Sequence, residues 1–369
     1  MLYVASRKGL LSFAETAGGW RLETAAFVGE PVSAVLWDPR DALLYAALNL
    51  GHFGVKLHRS ADHGQSWEEL AAPAYPQGAK AMGRDSAFQP LEKPASLTLI
   101  WTLAAGGPDR PGRLWAGTIP GGLFRSDDRG ESWSLVESLW DDPRRKDWFG
   151  GGYDEPGIHS ICVDPLDSDH LTLGVSCGGV WNSRDAGTSW TLGGAGLRAD
   201  YMPPDQAQEP GTQDAHRLAQ CRAAPDTIWC QHHNGIFLSR DGGERFVEIE
   251  TARPSAFGFA VAVHPEQAET AWFVPAVKDE CRVPVDHRFV VSRTRDGGAS
   301  FETFDEGLPP PPAFDLVYRH GLDIDRSGSR LAMGTTTGNL WIGRDDGERW
   351  SLVSSTLPPI AQVLWAAED

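Results

Sequence analysis

The sequence lacks the features of a secreted or membrane protein. It has no run of 18 apolar residues and no apolar leader after Met1, so it predicts neither a membrane span nor a signal peptide. Its five cysteines are odd in number and form no CxxC pair, which argues against a disulfide framework. From these absences we expect a cytoplasmic location.

Positive charge is also scarce. The 33 Lys and Arg residues against 50 Asp and Glu give a formal net charge of −17. This balance opposes binding to nucleic acid or to an anionic membrane surface, and we expect neither partner. Aromatic and turn-forming residues are plentiful, with 15 Trp, 15 Phe, 41 Gly and 26 Pro, as in a large core joined by many turns.

A short phrase recurs along the chain, in its fullest form as Ser60–Trp67, which reads SADHGQSW. We call each copy an Asp turn. We predict that its carboxylate accepts hydrogen bonds from its own turn, that its Gly adopts a positive φ, and that its last residue opens the next strand. Spacings of 49 to 66 residues between the shared Asp positions indicate a repeat architecture. Those positions are Asp62, Asp128, Asp185, Asp241, Asp296 and Asp345.

The Asp turns resemble the Asp-box, or BNR, repeat of sialidases, sortilin-type receptors, some endoglucanases and a photosystem II assembly factor. The resemblance implies a β-propeller in which each Asp turn joins the third and fourth strands of a blade. It implies no chemistry for the turn itself. Apolar runs between the turns predict the innermost strands of six blades. These are Val32–Trp37, Ser96–Thr102, Ile158–Val163, His216–Cys221, Phe257–Val263 and Arg319–Ile324.

The two ends of the chain predict one further blade. Ile360–Trp365 has the pattern of an inner strand, and Leu2–Ser6, Leu10–Phe13 and Trp20–Ala25 have the pattern of three outer strands. Pairing them would close the ring and remove exposed sheet edges. We therefore predict an all-β, seven-bladed propeller that forms a single domain over residues 1–369, with six blades as the alternative. Long connections precede three of the inner strands, and loops of that length are usually functional or disordered. They are Ala71–Ala95, Glu137–Gly157 and Gly193–Gln213.

Histidines recur at one level of the predicted propeller. His159, His216 and His320 occupy equivalent first positions of three inner strands and would converge near the axis. Three His ligands with an open fourth position form a known metal arrangement, so we predict a divalent ion, with Zn, Mn, Fe and Ca all compatible. Without metal, the same rings would serve in acid–base catalysis or substrate binding. The third alternative is that they only fill a polar channel.

Loops on the same face supply further polar side chains. Histidines and a carboxylate there would act as catalytic groups or orient a ligand. Basic and amide groups would hold a carboxylate or phosphate. The predicted catalytic residues are His52, His232, His233, Asp279 and His287, and the predicted substrate-binding residues are Arg217, Arg282, Arg319, Lys278 and Asn49.

The resemblance would suggest sialidase activity, but the residues of that activity are not matched. The family's first arginine lies in an Arg-Ile-Pro-like phrase, and Gly29-Glu30-Pro31 stands in its place. Tyr153 and Tyr201 are the only plausible tyrosine nucleophiles, and sialidases have six blades. We therefore retain the fold and reject the transfer of sialidase catalytic residues.

Three functions remain in order of preference. The first is an enzyme, a hydrolase or lyase, that acts on a small polar or anionic molecule in the pocket at the channel mouth. The second is a non-catalytic scaffold that binds a protein partner. The third is a glycosidase that uses carboxylates of the long loops, such as Asp141, Asp154 or Glu155.

Overall fold

A computed structural model describes residues 1–85 and 89–366. Residues 86–88 of the 71–95 connection, and residues 367–369 of the predicted domain, lie outside the described part. Seven four-stranded antiparallel sheets form the blades of a propeller, which confirms the predicted fold and makes the six-bladed alternative wrong.

The strands follow one order in six blades, from an inner strand to an outer one. The chain opens with β1 (Leu2–Ser6), β2 (Gly9–Thr16) and β3 (Gly19–Ala26). Blade 1 contains β4 (Val32–Asp38), β5 (Leu43–Asn49), β6 (Val55–Ser60) and β7 (Glu68–Leu70). A separate hairpin, β8 (Lys80–Arg84) and β9 (Pro90–Pro94), precedes blade 2, which contains β10 (Leu99–Ala105), β11 (Leu114–Ile119), β12 (Leu123–Ser126) and β13 (Ser134–Leu135).

The remaining blades repeat this arrangement. Blade 3 contains β14 (Gly157–Val163), β15 (Leu171–Ser176), β16 (Gly179–Ser183) and β17 (Thr191–Leu192). Blade 4 contains β18 (Ala215–Gln220), β19 (Ile228–His232), β20 (Gly235–Ser239) and β21 (Val247–Ile249). Blade 5 contains β22 (Gly258–Val263), β23 (Ala271–Pro275), β24 (Val291–Thr294) and β25 (Glu302–Phe304). Blade 6 contains β26 (Leu322–Ile324), β27 (Leu331–Gly334), β28 (Leu340–Arg344) and β29 (Arg349–Ser354).

Blade 7 is composite, as predicted. Its inner strand is β30 (Ile360–Trp365), and the sheet order is β3-β2-β1-β30. The register pairs Val4 with Val363 and Leu2 with Trp365, so the two ends of the chain share one ladder. Over residues 1–85 and 89–366, helical structure is confined to α1 (Glu137–Trp140) and to short 3-10 turns at Gly51–Phe53, Pro143–Asp147, Pro210–Thr212 and Val285–His287. In the described part of the chain, none of these is long or apolar enough to cross a membrane.

Five Asp turns have the predicted hydrogen bonding. In the first, Asp62 Oδ1 accepts from the backbone N–H of Ser66 at 2.8 Å, and Ser60 Oγ accepts from the N–H of Gly64 at 2.8 Å. Gly64 has φ +85°, which glycine adopts without the steric cost of a side chain. The carboxylates of Asp128, Asp185, Asp241 and Asp296 each accept the equivalent bond at 2.8–3.0 Å.

The sixth copy departs from this pattern. Gly343 stands where the other copies have Ser or Thr, so the hydroxyl that bridges the turn is missing. The Asp345 carboxylate lies 3.4 Å from Arg349 Nη1 instead, and β28 runs into β29 with Asp345 and Asp346 both at positive φ. The prediction that this carboxylate braces its own turn was therefore wrong.

Aromatic side chains fill the space between neighbouring blades. Trp115, Trp229 and Trp272 lie in second strands and are fully buried, and Trp181 in β16 is buried in the same way. Large aromatic side chains of this kind dominate the energetics of a core when they are buried. Because Trp115, Trp229 and Trp272 each pack against the next sheet, the blades support one another around the ring.

Candidate active site

A cavity of about 890 Å³ opens at one end of the propeller axis. All seven blades reach it, through their inner strands, through the connections that enter these strands or through the loops between second and third strands. We call it the axial cavity. Its lining comprises Arg7, Ser33, Leu99, Trp101, Phe149, Gly151, Gly152, Tyr153, Cys177, Tyr201, Asp214, His216, His233, Phe259, Asp279, Arg282, Leu316, Tyr318, Arg319, His320, Thr336, Pro359, Ile360 and Ala361.

One carboxylate and two imidazoles meet in its wall. Asp214 Oδ2 lies 3.3 Å from His216 Nε2 and 3.5 Å from His233 Nδ1. The other carboxylate oxygen, Oδ1, accepts from the N–H of Cys177 at 3.2 Å and from Ser176 Oγ at 3.3 Å. His216 Nδ1 donates to the carbonyl of Gly258 at 2.7 Å. Both sides of the cluster are therefore held by neighbouring blades.

The sequence places these groups together through a hairpin. The register of β18 and β19 pairs Ala215 with His232, and the N–H of His233 donates to the carbonyl of Asp214 at 3.0 Å. Asp214 and His233, which lie next to this pair, are thus brought together at one end of the hairpin. Asp214 and His216 are buried, whereas His233 is about a quarter exposed towards the cavity.

Burial and charge act in opposite directions on this cluster. Burial raises the pKa of Asp214, but His216, His233 and Arg319 together hold it well below its ordinary value. Burial lowers the pKa of His216, and Asp214 only partly restores it. Burial also lowers the pKa of His233, but the hydrogen bond and charge of Asp214, with Asp279 and Glu280, raise it overall. The cluster therefore favours an ionised carboxylate beside a neutral His216.

Arg319 is the second notable group. Its side chain is buried, and its guanidinium carbon lies 4.8 Å from the ring centre of Trp101 and 5.8 Å from that of Phe259. Within the described residues Nε has no hydrogen-bond partner, and no carboxylate forms an ion pair with the group. Burial lowers the pKa of Arg319 from its ordinary value, but an arginine remains charged near neutral pH. Among the described residues, the cavity thus contains a buried positive charge that has no direct ion-pair partner and that interacts with the Asp214 carboxylate only through space.

The predicted metal set does not assemble. His159 is fully buried, with Nδ1 at 3.0 Å from Ser160 Oγ, and it does not line the axial cavity. His320 lines the cavity, but its Nε2 bonds to the carbonyl of His159 at 2.8 Å rather than facing the other rings. His320 also precedes β26 instead of occupying the strand's first position. Within the described residues, the only group of three or more His, Cys, Asp or Glu side chains close enough to share an ion is Asp214, His216 and His233.

The other predicted catalytic residues divide into two groups. His233 and Asp279 line the cavity, although Asp279 is already bound by Arg282 Nη2 at 2.6 Å. His52 and His287 are exposed and lie outside its lining. His232 is buried beneath the site, where its Nδ1 accepts from the N–H of Asn234 at 3.1 Å. Burial lowers the pKa of His232 to about 3, so it stays neutral.

The predicted substrate-binding residues divide in the same way. Arg319 and Arg282 line the axial cavity, and Arg282 Nη1 also donates to the Tyr318 hydroxyl at 3.2 Å. Lys278 is largely exposed and pairs with Glu280 at 3.5 Å, and Asn49 lies outside the lining. Arg217 points to the opposite end of the channel, where a separate cavity of about 610 Å³ also contains Asp323. Leu218, Ala219 and Gln220 border that cavity as well, so position along the strand separates Arg217 from its neighbour His216.

The long-loop carboxylates proposed for a glycosidase do not reach the axial cavity. Asp141 borders a small pocket near Lys80, and Glu155 is buried in an ion pair with Lys93 at 3.2 Å. Asp154 is exposed and outside the lining. Sequence reasoning also missed Asp214 and Trp101. The sequence does carry a signal for Asp214. This carboxylate stands two residues before His216 in an inner strand, and the His232–His233 pair ends the strand that follows.

Comparison with known proteins gives one relative by sequence. No protein-family model matches the chain. The chain is 26% identical over 318 residues to a probable oligoxyloglucan-reducing end-specific xyloglucanase from Neosartorya fischeri. The match covers 79% of this chain and 35% of that enzyme, so the chain spans about a third of the length of its curated relative.

Several solved structures share the fold. An ancestral GH74 enzyme superposes with a TM-score of 0.59 at 15% identity, over 96% of this chain and 39% of that one. The GH74 enzyme of Niastella koreensis gives 0.58 at 14% identity, over 95% and 55%. YCF48 from Cyanidioschyzon merolae gives 0.54 at 11% identity, over 89% and 87%. At these identities the likeness concerns the propeller fold alone.

Proposed function

We propose that the chain is a glycan-acting enzyme that binds a short, carboxylate-bearing sugar in the axial cavity and cleaves its glycosidic bond. The observation that carries this proposal is Arg319, a buried guanidinium that faces the cavity and has no direct ion-pair partner among the described residues. A planar guanidinium binds a carboxylate through two parallel hydrogen bonds. An incoming carboxylate would therefore satisfy a group that the protein leaves unpaired.

The shape and lining of the cavity support a sugar as the rest of the ligand. Its volume lies within the range of about 300–1,000 Å³ of small-molecule sites. Trp101, Tyr153, Phe259 and Tyr318 supply flat apolar surfaces around Arg319, with Tyr153 edge-on to Trp101 at 5.1 Å. The sequence relative is named as a xyloglucanase, which is consistent with a glycan.

The cleavage chemistry would come from the Asp214, His216 and His233 cluster. A glycosidase with two carboxylates needs one that stays protonated as the acid. Among the described residues, the carboxylates that line this cavity are Asp214 and Asp279, and both are engaged by cationic or histidine partners. The cavity is therefore better suited to hydrolysis or elimination assisted by its histidine cluster than to the two-carboxylate mechanism.

Binding of matched sugars tests the proposal. Oligosaccharides of glucuronate or galacturonate would be compared with neutral oligosaccharides of the same length by isothermal titration calorimetry. We expect the acidic sugars to bind, and we expect Arg319→Gln to weaken them roughly 10- to 100-fold, because a charge-assisted hydrogen bond contributes about 1.5–3 kcal/mol. Mass spectrometry of the products would then show whether water is added or an unsaturated sugar is formed.

Arg217→Gln is the matched control, since Arg217 is also an inward-facing arginine but borders the opposite cavity. It should leave affinity for the acidic sugar unchanged. Equal binding of neutral and acidic sugars, or an Arg319→Gln variant with wild-type affinity, would contradict the assignment of a carboxylate to this site.

A further inference from the structure

We infer that Asp214, His216 and His233 form a binding site for one divalent transition-metal ion, with Zn²⁺ as the best-fitting ion. This differs from the set predicted from sequence, with which it shares only His216. The inference concerns metal binding by the protein alone and does not require that the axial cavity cleave a glycan.

The spacing of the three side chains suits a shared ion. One ligand atom from each residue lies within 4.8 Å of the others, with 3.3 Å between Asp214 Oδ2 and His216 Nε2 and 3.5 Å to His233 Nδ1. Hydrogen bonds between charged groups usually measure about 2.7–2.9 Å, so these contacts are long for that purpose. Nitrogen and oxygen ligands about 2.0–2.1 Å from a tetrahedral Zn²⁺ are separated by roughly 3.4 Å, which matches them.

The surrounding groups already orient the ligands. His216 uses Nδ1 to donate to the Gly258 carbonyl at 2.7 Å, which leaves the lone pair of Nε2 facing Asp214. Metal-binding histidines usually make this second hydrogen bond, which fixes their tautomer and ring orientation. The N–H of Cys177 and the Ser176 hydroxyl hold Asp214 Oδ1, so that Oδ2 remains free for an ion.

The composition of the set narrows the choice of ion. Two imidazoles and one carboxylate favour Zn²⁺ and its first-row neighbours, whereas Ca²⁺ takes six to eight oxygen ligands. Three protein ligands leave a coordination position open, the arrangement typical of catalytic rather than structural zinc. His233 is the one ligand that is partly exposed, and it lines the axial cavity, so the open position would face a bound molecule.

Metal binding by the purified chain tests this inference. The protein would be stripped with a chelator and dialysed against Zn²⁺, and bound metal would be measured by elemental analysis. Co²⁺ would serve as a spectroscopic probe, because its visible absorption reports the ligand geometry. We expect one ion per chain, and we expect Asp214→Asn and His233→Ala to weaken binding at least about 100-fold, beyond the 10- to 100-fold effect of losing an outer-shell partner.

Three variants distinguish an ion held by this cluster from an ion held by other histidines of the same face. His52→Ala and His287→Ala remove exposed histidines and should keep full affinity. His320→Ala tests the set predicted from sequence and should also keep it. Thermal unfolding of the metal-free variants would confirm that each folds, and Asp214→Asn preserves the shape of the side chain. No stoichiometric ion, or binding that survives Asp214→Asn and His233→Ala or is lost in His320→Ala, would overturn the inference.

Discussion

One side chain of the composite blade bonds directly to the neighbouring blade 1. Gln362 in β30 uses its amide to pair with the backbone of β4 in blade 1. Its Nε2 donates to the Val35 carbonyl at 2.9 Å, and its Oε1 accepts from the Val35 N–H at 2.9 Å. The side chain thus acts as an extra backbone segment between the last inner strand and the first.

Replacement of Gln362 by alanine removes both bonds at once. Val35 is buried, so its N–H and carbonyl would lose their bond across the blade junction, and each buried group left unsatisfied costs about 1–3 kcal/mol. Gln362 is itself half-buried, which lets some water reach the gap. We therefore expect Gln362→Ala to lower the free energy of unfolding by about 2–4 kcal/mol.

Equilibrium unfolding in urea measures this loss. Gln220→Ala is the matched control, because Gln220 lies in the inner strand of blade 4 and bonds within its own blade, to the Pro225 carbonyl at 2.9 Å. Losing that single bond should cost about 1 kcal/mol. The two variants should unfold with the same dependence on urea as the wild type. If Gln362→Ala is no more destabilising than Gln220→Ala, the amide bridge does not hold the ring closed.

Three further predictions concern other parts of the ring. Hydrogen bonds from the Ser66 hydroxyl, the Ser66 N–H and the Ser60 hydroxyl lower the pKa of Asp62 to about 2. Asp62→Asn should therefore be less stable than the wild type above pH 4, and this difference should vanish as the pH falls towards 2. Parallel urea curves would check this, and a pH-independent difference would contradict it. Burial raises the pKa of Asp323 to about 6, so the stability of the wild type should fall as the pH rises from 4 to 6. In thermal unfolding, Asp323→Asn should be more stable than the wild type at pH 7 and equally stable at pH 4. A Cβ on Gly157 would lie 2.6 Å from both the Trp101 ring and Ile119 Cγ1. Gly157→Ala should therefore displace Trp101, change its fluorescence and weaken ligand binding in the axial cavity, and unchanged fluorescence would refute this.

The ring of blades could be predicted from the sequence because its signals are local. Each Asp turn combines a hydroxyl, a carboxylate and a glycine within five residues, and their hydrogen bonds stay within the same stretch, as Ser60, Asp62 and Gly64 show. The same reasoning failed at Asp345, where Gly343 removes the hydroxyl that bridges the turn. Local chemistry thus predicts the turn only when all of its parts are present.

The candidate site was harder to predict because its geometry is set between strands. In the sequence, His320, His159 and His216 stand at the same distance from the ends of their predicted inner strands. In the structure, however, β26 begins only at Leu322, and a hydrogen bond to the carbonyl of His159 fixes the His320 ring. His233 meets Asp214 through the register of a hairpin, which sequence spacing alone does not specify. Arg217 and His216 are adjacent in sequence yet line opposite cavities, because the boundary between the two cavities falls between them along β18.

The carboxylates of five Asp turns and two buried groups near the axis differ in how fully they are hydrogen-bonded. The carboxylates of five Asp turns are hydrogen-bonded within their own loops, whereas Arg319 Nε and His159 Nε2 are buried near the axis without a partner in the described part of the chain. Such groups cost stability, and one explanation for keeping them is a role at a functional site. Because the turns brace each blade independently, the axial end can carry a buried charge and a histidine cluster without losing the fold. The same separation predicts that substitutions at Arg319 or His233 alter binding more than they alter stability.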